Sequence, residues 1–194
     1  MNQHSLLDQF SKELVATGGK IHILENRKEL TRTILEIIRS SSARTVAMTS
    51  EQVLRVADGL ESQLTEHGIE PLVTLDPKNT LSDIEKSQVG ITLADFAIAE
   101  SGTIAVISRD ERERLVTALP FTHIVVLDPK CILPDLEAAI EKMKDYLKDP
   151  SNLNSSSVIS FITGPSRTAD IELTLVRGVH GPNELHVVTL PEAN

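Results

Sequence analysis

Near-continuous apolar runs such as "HIVVL" (His123–Leu127) and "VISFI" (Val158–Ile162) limit what this chain can fold into. A strand with one wet face alternates apolar and polar residues, whereas a strand that is apolar throughout needs cover on both faces. Segments with helical spacing lie between such runs and can supply that cover. The pattern therefore predicts an α/β fold with a mainly parallel, helix-flanked sheet. An antiparallel hairpin is expected as an insertion near Asp95 to Ile107, where Glu100-Ser101-Gly102 reads as a turn between two β-rich runs.

The helical segments can be placed by their spacing and caps. In "NRKELTRTILEIIRSSS", Leu30, Ile34, Ile37 and Ile38 share a face, and Asn26 with Glu29 three residues on resembles a capping box. Thr49 and Gln52 offer a second cap of that type, followed by Val53, Ala57, Leu60 and Leu64 in one helix that Gly68 ends. Further helices are expected over "TLSDIEKSQ", "ERERLVTAL" and "LPDLEAAIEKMKDYLKD", the last burying Leu136, Ile140, Met143 and Leu147. A polar loop from Pro150 to Ser157 precedes "VISFIT", a final helix runs from about Thr168 to Arg177, and the strand "LHVVTL" closes the chain. The 194 residues carry no repeat and no evident linker, which predicts a single domain whose residues 1–88 form an N-terminal α/β part.

Composition excludes several functions. A net charge of -9 repels polyanions, and four Phe and one Tyr leave little to stack on bases, so nucleic acid is not an expected partner. The single cysteine, Cys131, allows no internal disulfide and cannot ligate an iron–sulfur cluster alone. No apolar stretch reaches the roughly 18 residues of a membrane span, and "MNQHSLLDQFSKEL" is not a signal peptide, which together predict a cytoplasmic protein. The six histidines form no metal-ligand spacing, so no metal site is expected. Neither GxGxxG nor a Walker loop occurs.

Two stretches concentrate polar groups. In "ITGPSRTADIELTL", Gly164 allows a tight turn, Ser166 or Thr168 can cap the expected helix, and Asp170 and Glu172 favour its positive end. Arg167 does not fit a helix start. It needs either a carboxylate partner, Asp170 or Glu172, or an anionic ligand shared with free backbone N–H groups. In "ADFAIAESGTIAVIS", Asp95 and Glu100 stand among apolar residues and point to opposite strand faces, so the two carboxylates need not meet. Asp95 has either a local hydrogen-bonding task or a site role, and Glu100 either a solvated turn position or a catalytic one.

Residues from about Val89 to Leu190 resemble the LUD domain family. The resemblance rests on "ADFAIAESGTIAV", "LPFTHIVVL", "FITGPSRTADIELTLVRGVHGP" and the closing "LHVVTL", in that order, and marks residues 89–194 as the family's signature region. It implies a fold like that of ribose-5-phosphate isomerase, the CoA transferases and formyltetrahydrofolate cyclo-ligase. It further implies a part in oxidising L-lactate to pyruvate beside two cysteine-rich iron–sulfur proteins, with no cofactor in this chain itself. The candidate ligand residues are Asp95, Gly102, Thr103, Gly164, Ser166, Arg167, Thr168 and Asp170, with an anionic small molecule as the ligand. "AESG" resembles the glutamate-then-glycine turn that carries the nucleophile of CoA transferases, which makes Glu100 the candidate catalytic group. Two classes stay open: a non-redox subunit of a lactate-oxidising complex, and a free-standing transferase-like or isomerase-like enzyme on an anionic small molecule.

Overall fold

The computed structural model describes residues 2–49, 51–74, 76–149, 157–169, 175–177 and 181–190. A six-stranded sheet is built from β1 (Lys20–Ile23), β2 (Thr45–Met48), β3 (Glu70–Val73), β4 (Val89–Leu93), β7 (Thr122–Leu127) and β12 (Glu184–Thr189). Its order is β1-β12-β7-β4-β2-β3, and every neighbouring pair is parallel. All six residues of β7 are buried, as its apolar run requires. The hairpin of β5 (Phe96–Ile98) and β6 (Thr103–Ser108) leaves this sheet after β4. With β8 (Ile132–Leu133) and β9 (Val158–Ile162) it forms a second sheet ordered β8-β5-β6-β9.

Helices fill the remaining space according to their apolar faces. One side of the large sheet is covered by α2 (Glu29–Ser40), α3 (Glu51–Val56) and α4 (Leu60–Glu66), whose Leu30, Ile34, Ile38, Val53, Leu60 and Leu64 pack on Val46, Val89 and Ile124. The other side is divided. Near β7 and β12 it meets α1 (Gln3–Ala16) and the small sheet, where Phe10 and Leu14 pack with Ala97, Ile104, Val125 and Val187. Near β2 and β3 it meets α5 (Leu81–Glu85) and α6 (Glu111–Ala118), through Ile84 and Val116 on Ala47 and Leu72. Thr80 and Asp83 form a reciprocal capping box on α5, and Asp110 caps α6 through the Glu113 N–H. Among the described residues no helix is long and apolar enough to cross a membrane.

Four local expectations are corrected. Asn26 does not cap α2: its side chain accepts from the Lys28 N–H in a turn, and the helix begins after Lys28 without a side-chain cap. The helix expected to end at Gly68 is two helices, broken where Gly59 takes φ 71°, although Val53, Ala57, Leu60 and Leu64 are all buried. On α7 (Leu136–Leu147) only Ala139 is fully buried and Met143 packs beside it, while Leu136, Ile140 and Leu147 are 53%, 41% and 49% exposed. That helix lies on the outer face of the small sheet, where Phe96, Ile98 and Ala105 offer one line of contact and leave the rest of its stripe uncovered.

The final helix is replaced by antiparallel β10 (Arg167–Ala169) and β11 (Leu175–Arg177), with Thr168 opposite Val176. Over so short a segment the apolar spacing of "IELTLV" satisfies both the helical and the strand period. Asp170 lies outside the described residues, as do residues 150–156 of the polar loop.

Candidate functional site

Open parallel sheets present the carboxyl ends of their strands to ligands. Here the ends of β2 and β4 meet the start of α6 in a small cleft. Thr49 follows β2, Leu93 ends β4, Asp95 leads into the hairpin, and Arg109 and Glu113 flank the α6 cap. One Asp95 carboxylate oxygen accepts the Ile107 N–H at 2.7 Å, and one Glu113 oxygen accepts the Arg109 N–H at 2.7 Å. Glu113 is only 5% exposed.

Two carboxyl groups drawn out of water into one cleft resist ionisation. Burial raises the Asp95 carboxyl above its ordinary value, against the Ile107 N–H and the charges of Arg109 and Lys142. Glu113 is raised first by burial and further by Asp110 and Asp95, against the Arg109 N–H and guanidinium. The pocket is about 30 Å³, the room of one water. The arrangement can hold or pass a proton, but as it stands it cannot enclose a substrate.

The hairpin turn lies elsewhere. At its far end Gly102 takes φ 63° and sits against the last turn of α1, where an added Cβ would stand 2.3 Å from the Leu14 backbone nitrogen. Gly164, at φ 93°, meets Thr17 just beyond that helix in the same way. Thr103 joins the two segments, its hydroxyl 2.7 Å from those of both Ser101 and Thr163. Glu100 has an exposed side chain, and its N–H donates to the Pro134 carbonyl at 3.0 Å.

The sequence candidates thus fall into two groups. Asp95 belongs to the carboxylate cleft, whereas Glu100, Gly102, Thr103 and Gly164 gather around the end of α1, separated from Asp95 by the length of β5. Ser166 is fixed by its N–H to the Pro182 carbonyl at 2.8 Å. Arg167 and Thr168 open a strand, so the reading of this corner as a helix N-terminus is withdrawn, and the anion argument retains only the guanidinium charge. Sequence reasoning missed Arg109 and Glu113. Their signal was present in "RDERERL", where an Asp three residues before Glu marks a cap, but nothing in that string shows that Glu113 is buried beside Asp95.

Two further groups are buried and titratable. His123 on β7 is fully enclosed, with its Nε2 2.9 Å from the Thr92 hydroxyl and its Nδ1 without a hydrogen-bond partner among the described residues. Burial lowers its pKa to about 3, which keeps the ring neutral. At the sheet edge His22 stacks on His186 with ring centroids 5.3 Å apart, and His186 also meets Glu184 at 3.2 Å. Burial lowers both imidazoles, and nearby Lys20 adds to that effect.

The parallel sheet with an inserted antiparallel hairpin and a polar cleft at its carboxyl edge defines a helix-flanked α/β protein. The chain belongs to the LUD domain family, whose model matches residues 7–190. It is 32% identical to lactate utilization protein C of Halalkalibacterium halodurans over 94% of this chain and 79% of that one. To lactate utilization protein C of Bacillus subtilis it is 29% identical, over 93% and 80%. Among solved structures it is similar to a DUF162 family protein from Deinococcus radiodurans, with a TM-score of 0.67 over 97% of this chain and 98% of that one. At 17% identity that likeness concerns the fold alone.

Proposed function

We propose that this chain is the non-redox subunit of a cytoplasmic assembly that oxidises L-lactate to pyruvate, with cysteine-rich iron–sulfur proteins as its partners. The observation that carries the reading is the similarity to proteins named lactate utilization protein C, which extends over nearly all of this chain and about four-fifths of the relatives. Oxidation of lactate releases two electrons and two protons. An iron–sulfur cluster takes about four cysteine thiolates, and this chain has one cysteine, so in this reading the electrons leave through partners. Burial raises the Cys131 thiol, with Asp128 acting in the same direction, and a protonated thiol is a poor ligand and nucleophile.

The test is affinity capture of the tagged chain from lactate-grown cells, followed by an assay of lactate-dependent dye reduction. Iron–sulfur proteins should co-purify, and dye reduction should fall on depletion of this chain and return when it is added back. Equal dye reduction by the partners without it would overturn the reading. A second reading, a free-standing acid–base enzyme on an anionic small molecule, draws on the raised carboxyls of Asp95 and Glu113. Turnover of such a substrate by the purified chain alone, lost in Glu113→Gln, would favour it.

A further inference from the structure

A second cleft opens where α2 begins and where α3 gives way to α4. It has a volume of about 570 Å³, the size of an ordinary ligand pocket, and Arg27, Lys28, Arg32 and Arg55 contribute to its lining. Asp58 is the one carboxylate among the described lining residues. Four cations around one cavity are unexpected in a chain with 28 acidic and 19 basic residues. Arg32 is shared loosely with Glu29 and Glu36, at 3.8 Å each. Arg27 and Lys28 are adjacent and exposed, and neither side chain pairs with a carboxylate among the described residues. Gathering like charges in a concave site raises the potential there and favours an anion.

The fold builds this cleft rather than leaving it to mobile side chains. Gly59, at φ 71°, separates α3 from α4, and the Thr31 hydroxyl donates to the Asp58 carbonyl at 3.0 Å, which ties that break to α2. The uncapped start of the 12-residue α2 adds its positive end beside Lys28. Because α2 follows β1 in a parallel sheet, the cleft lies at the carboxyl edge, where such folds receive ligands.

We propose that this cleft binds the phosphate groups of a small phosphorylated molecule bearing two or more negative charges. A monocarboxylate such as lactate would neutralise only one of the cations and fill a small part of the space. Guanidinium groups match phosphate oxygens in bidentate geometry. Among the described residues the lining holds no aromatic ring on which a nucleobase could stack, so recognition belongs to the anionic head and not to a base. The site is independent of lactate chemistry: it can stand if the proposed function fails, and the reverse also holds.

The full chain is titrated calorimetrically with inorganic pyrophosphate, with ADP and with lactate at physiological ionic strength. Pyrophosphate should bind at one site with a Kd in the micromolar range, ADP within about threefold of it, and lactate at least 100-fold more weakly. The variant Arg27→Ala/Lys28→Ala should weaken pyrophosphate at least tenfold, while Lys144→Ala/Lys148→Ala on distant α7 should leave it unchanged. Circular dichroism and melting of each variant report whether the fold is kept; should the double alanine variant unfold, Arg27→Gln is titrated in its place with the same expectation. Absence of saturable pyrophosphate binding, equal binding by lactate, or equal loss from the α7 variant would overturn the proposal. ADP binding more than tenfold tighter than pyrophosphate would overturn the head-group reading.

Discussion

Replacing Gly102 by alanine tests whether this glycine exists for packing or for a ligand. Two costs add. The residue holds φ 63°, and the left-handed region costs a side-chain-bearing residue about 1 kcal/mol relative to glycine. The new Cβ would also stand 2.3 Å from the Leu14 nitrogen, 2.6 Å from the Glu13 carbonyl carbon and 2.7 Å from the Leu14 Cα. These are helix backbone atoms that cannot rotate aside, so the hairpin must shift from α1, at an overpacking cost of about 1–3 kcal/mol. The sum is about 3 kcal/mol, or a fall in Tm of about 6–12 °C for a chain of this size. Gly68→Ala is the control: it shares the backbone geometry at φ 69°, but its Cβ would meet nothing within 4 Å, so only about 1 kcal/mol is expected. Urea unfolding of the two variants beside the parent chain measures the difference. If Gly102→Ala were no more destabilising than Gly68→Ala, the close approach to α1 would not constrain the turn, and a ligand role for Gly102 would regain its force.

Further outcomes follow from the buried ionisable groups and the turn. His123 has a folded pKa of about 3 against an ordinary 6.5, so its contribution is present above 6.5 and is lost as pH falls; between pH 7 and 5 the loss is about 2 kcal/mol, and His123→Gln should remove that part of the decline in urea midpoint. Asp95 and Glu113 act in the opposite sense. Their raised folded pKa values favour the protonated groups, so their contribution is greatest below the ordinary 3.8 and 4.5 and is lost as pH rises through the folded values. Asp95→Asn/Glu113→Gln should therefore compare better with the parent at pH 7 than at pH 4 in urea unfolding, and the reverse order would refute the burial argument. Glu100→Gln, at an exposed turn position, should change stability by less than about 0.5 kcal/mol and leave lactate-dependent growth intact; collapse of growth with a folded, assembled protein would move chemistry onto this residue.

Two local features were legible because they depend on a short stretch of chain. Asp95 in a β-rich run called for either a local hydrogen bond or a site role, and the Ile107 N–H supplies the bond. Glu100-Ser101-Gly102 was legible as a turn, and Gly102 at φ 63° confirms the geometry. Glu113 was hidden, because a carboxylate in a charged string looks solvated until the fold places it against Asp95. The basic cleft was hidden for a similar reason: Arg27, Lys28 and Arg32 lie near one another in sequence, but Arg55 joins them only when α3 packs beside α2 in the fold.

The sequence by itself determined the parallel, helix-flanked core through His123–Leu127, which is too apolar for one wet face and is wholly buried, whereas the equally apolar Val158–Ile162 is not covered on both faces but lies at the antiparallel edge of the small sheet with Val158 and Phe161 exposed. Tertiary structure alone decided strand against helix at Arg167–Ala169 and Leu175–Arg177, where a short apolar pattern fits both periods and pairing breaks the tie. It alone decided how much of α7 is buried, because spacing shows that a helix has an apolar stripe but not how wide a surface it will meet. Both outcomes share one physical cause: local pattern fixes which residues can avoid water together, whereas partner area and long-range pairing fix which of them do.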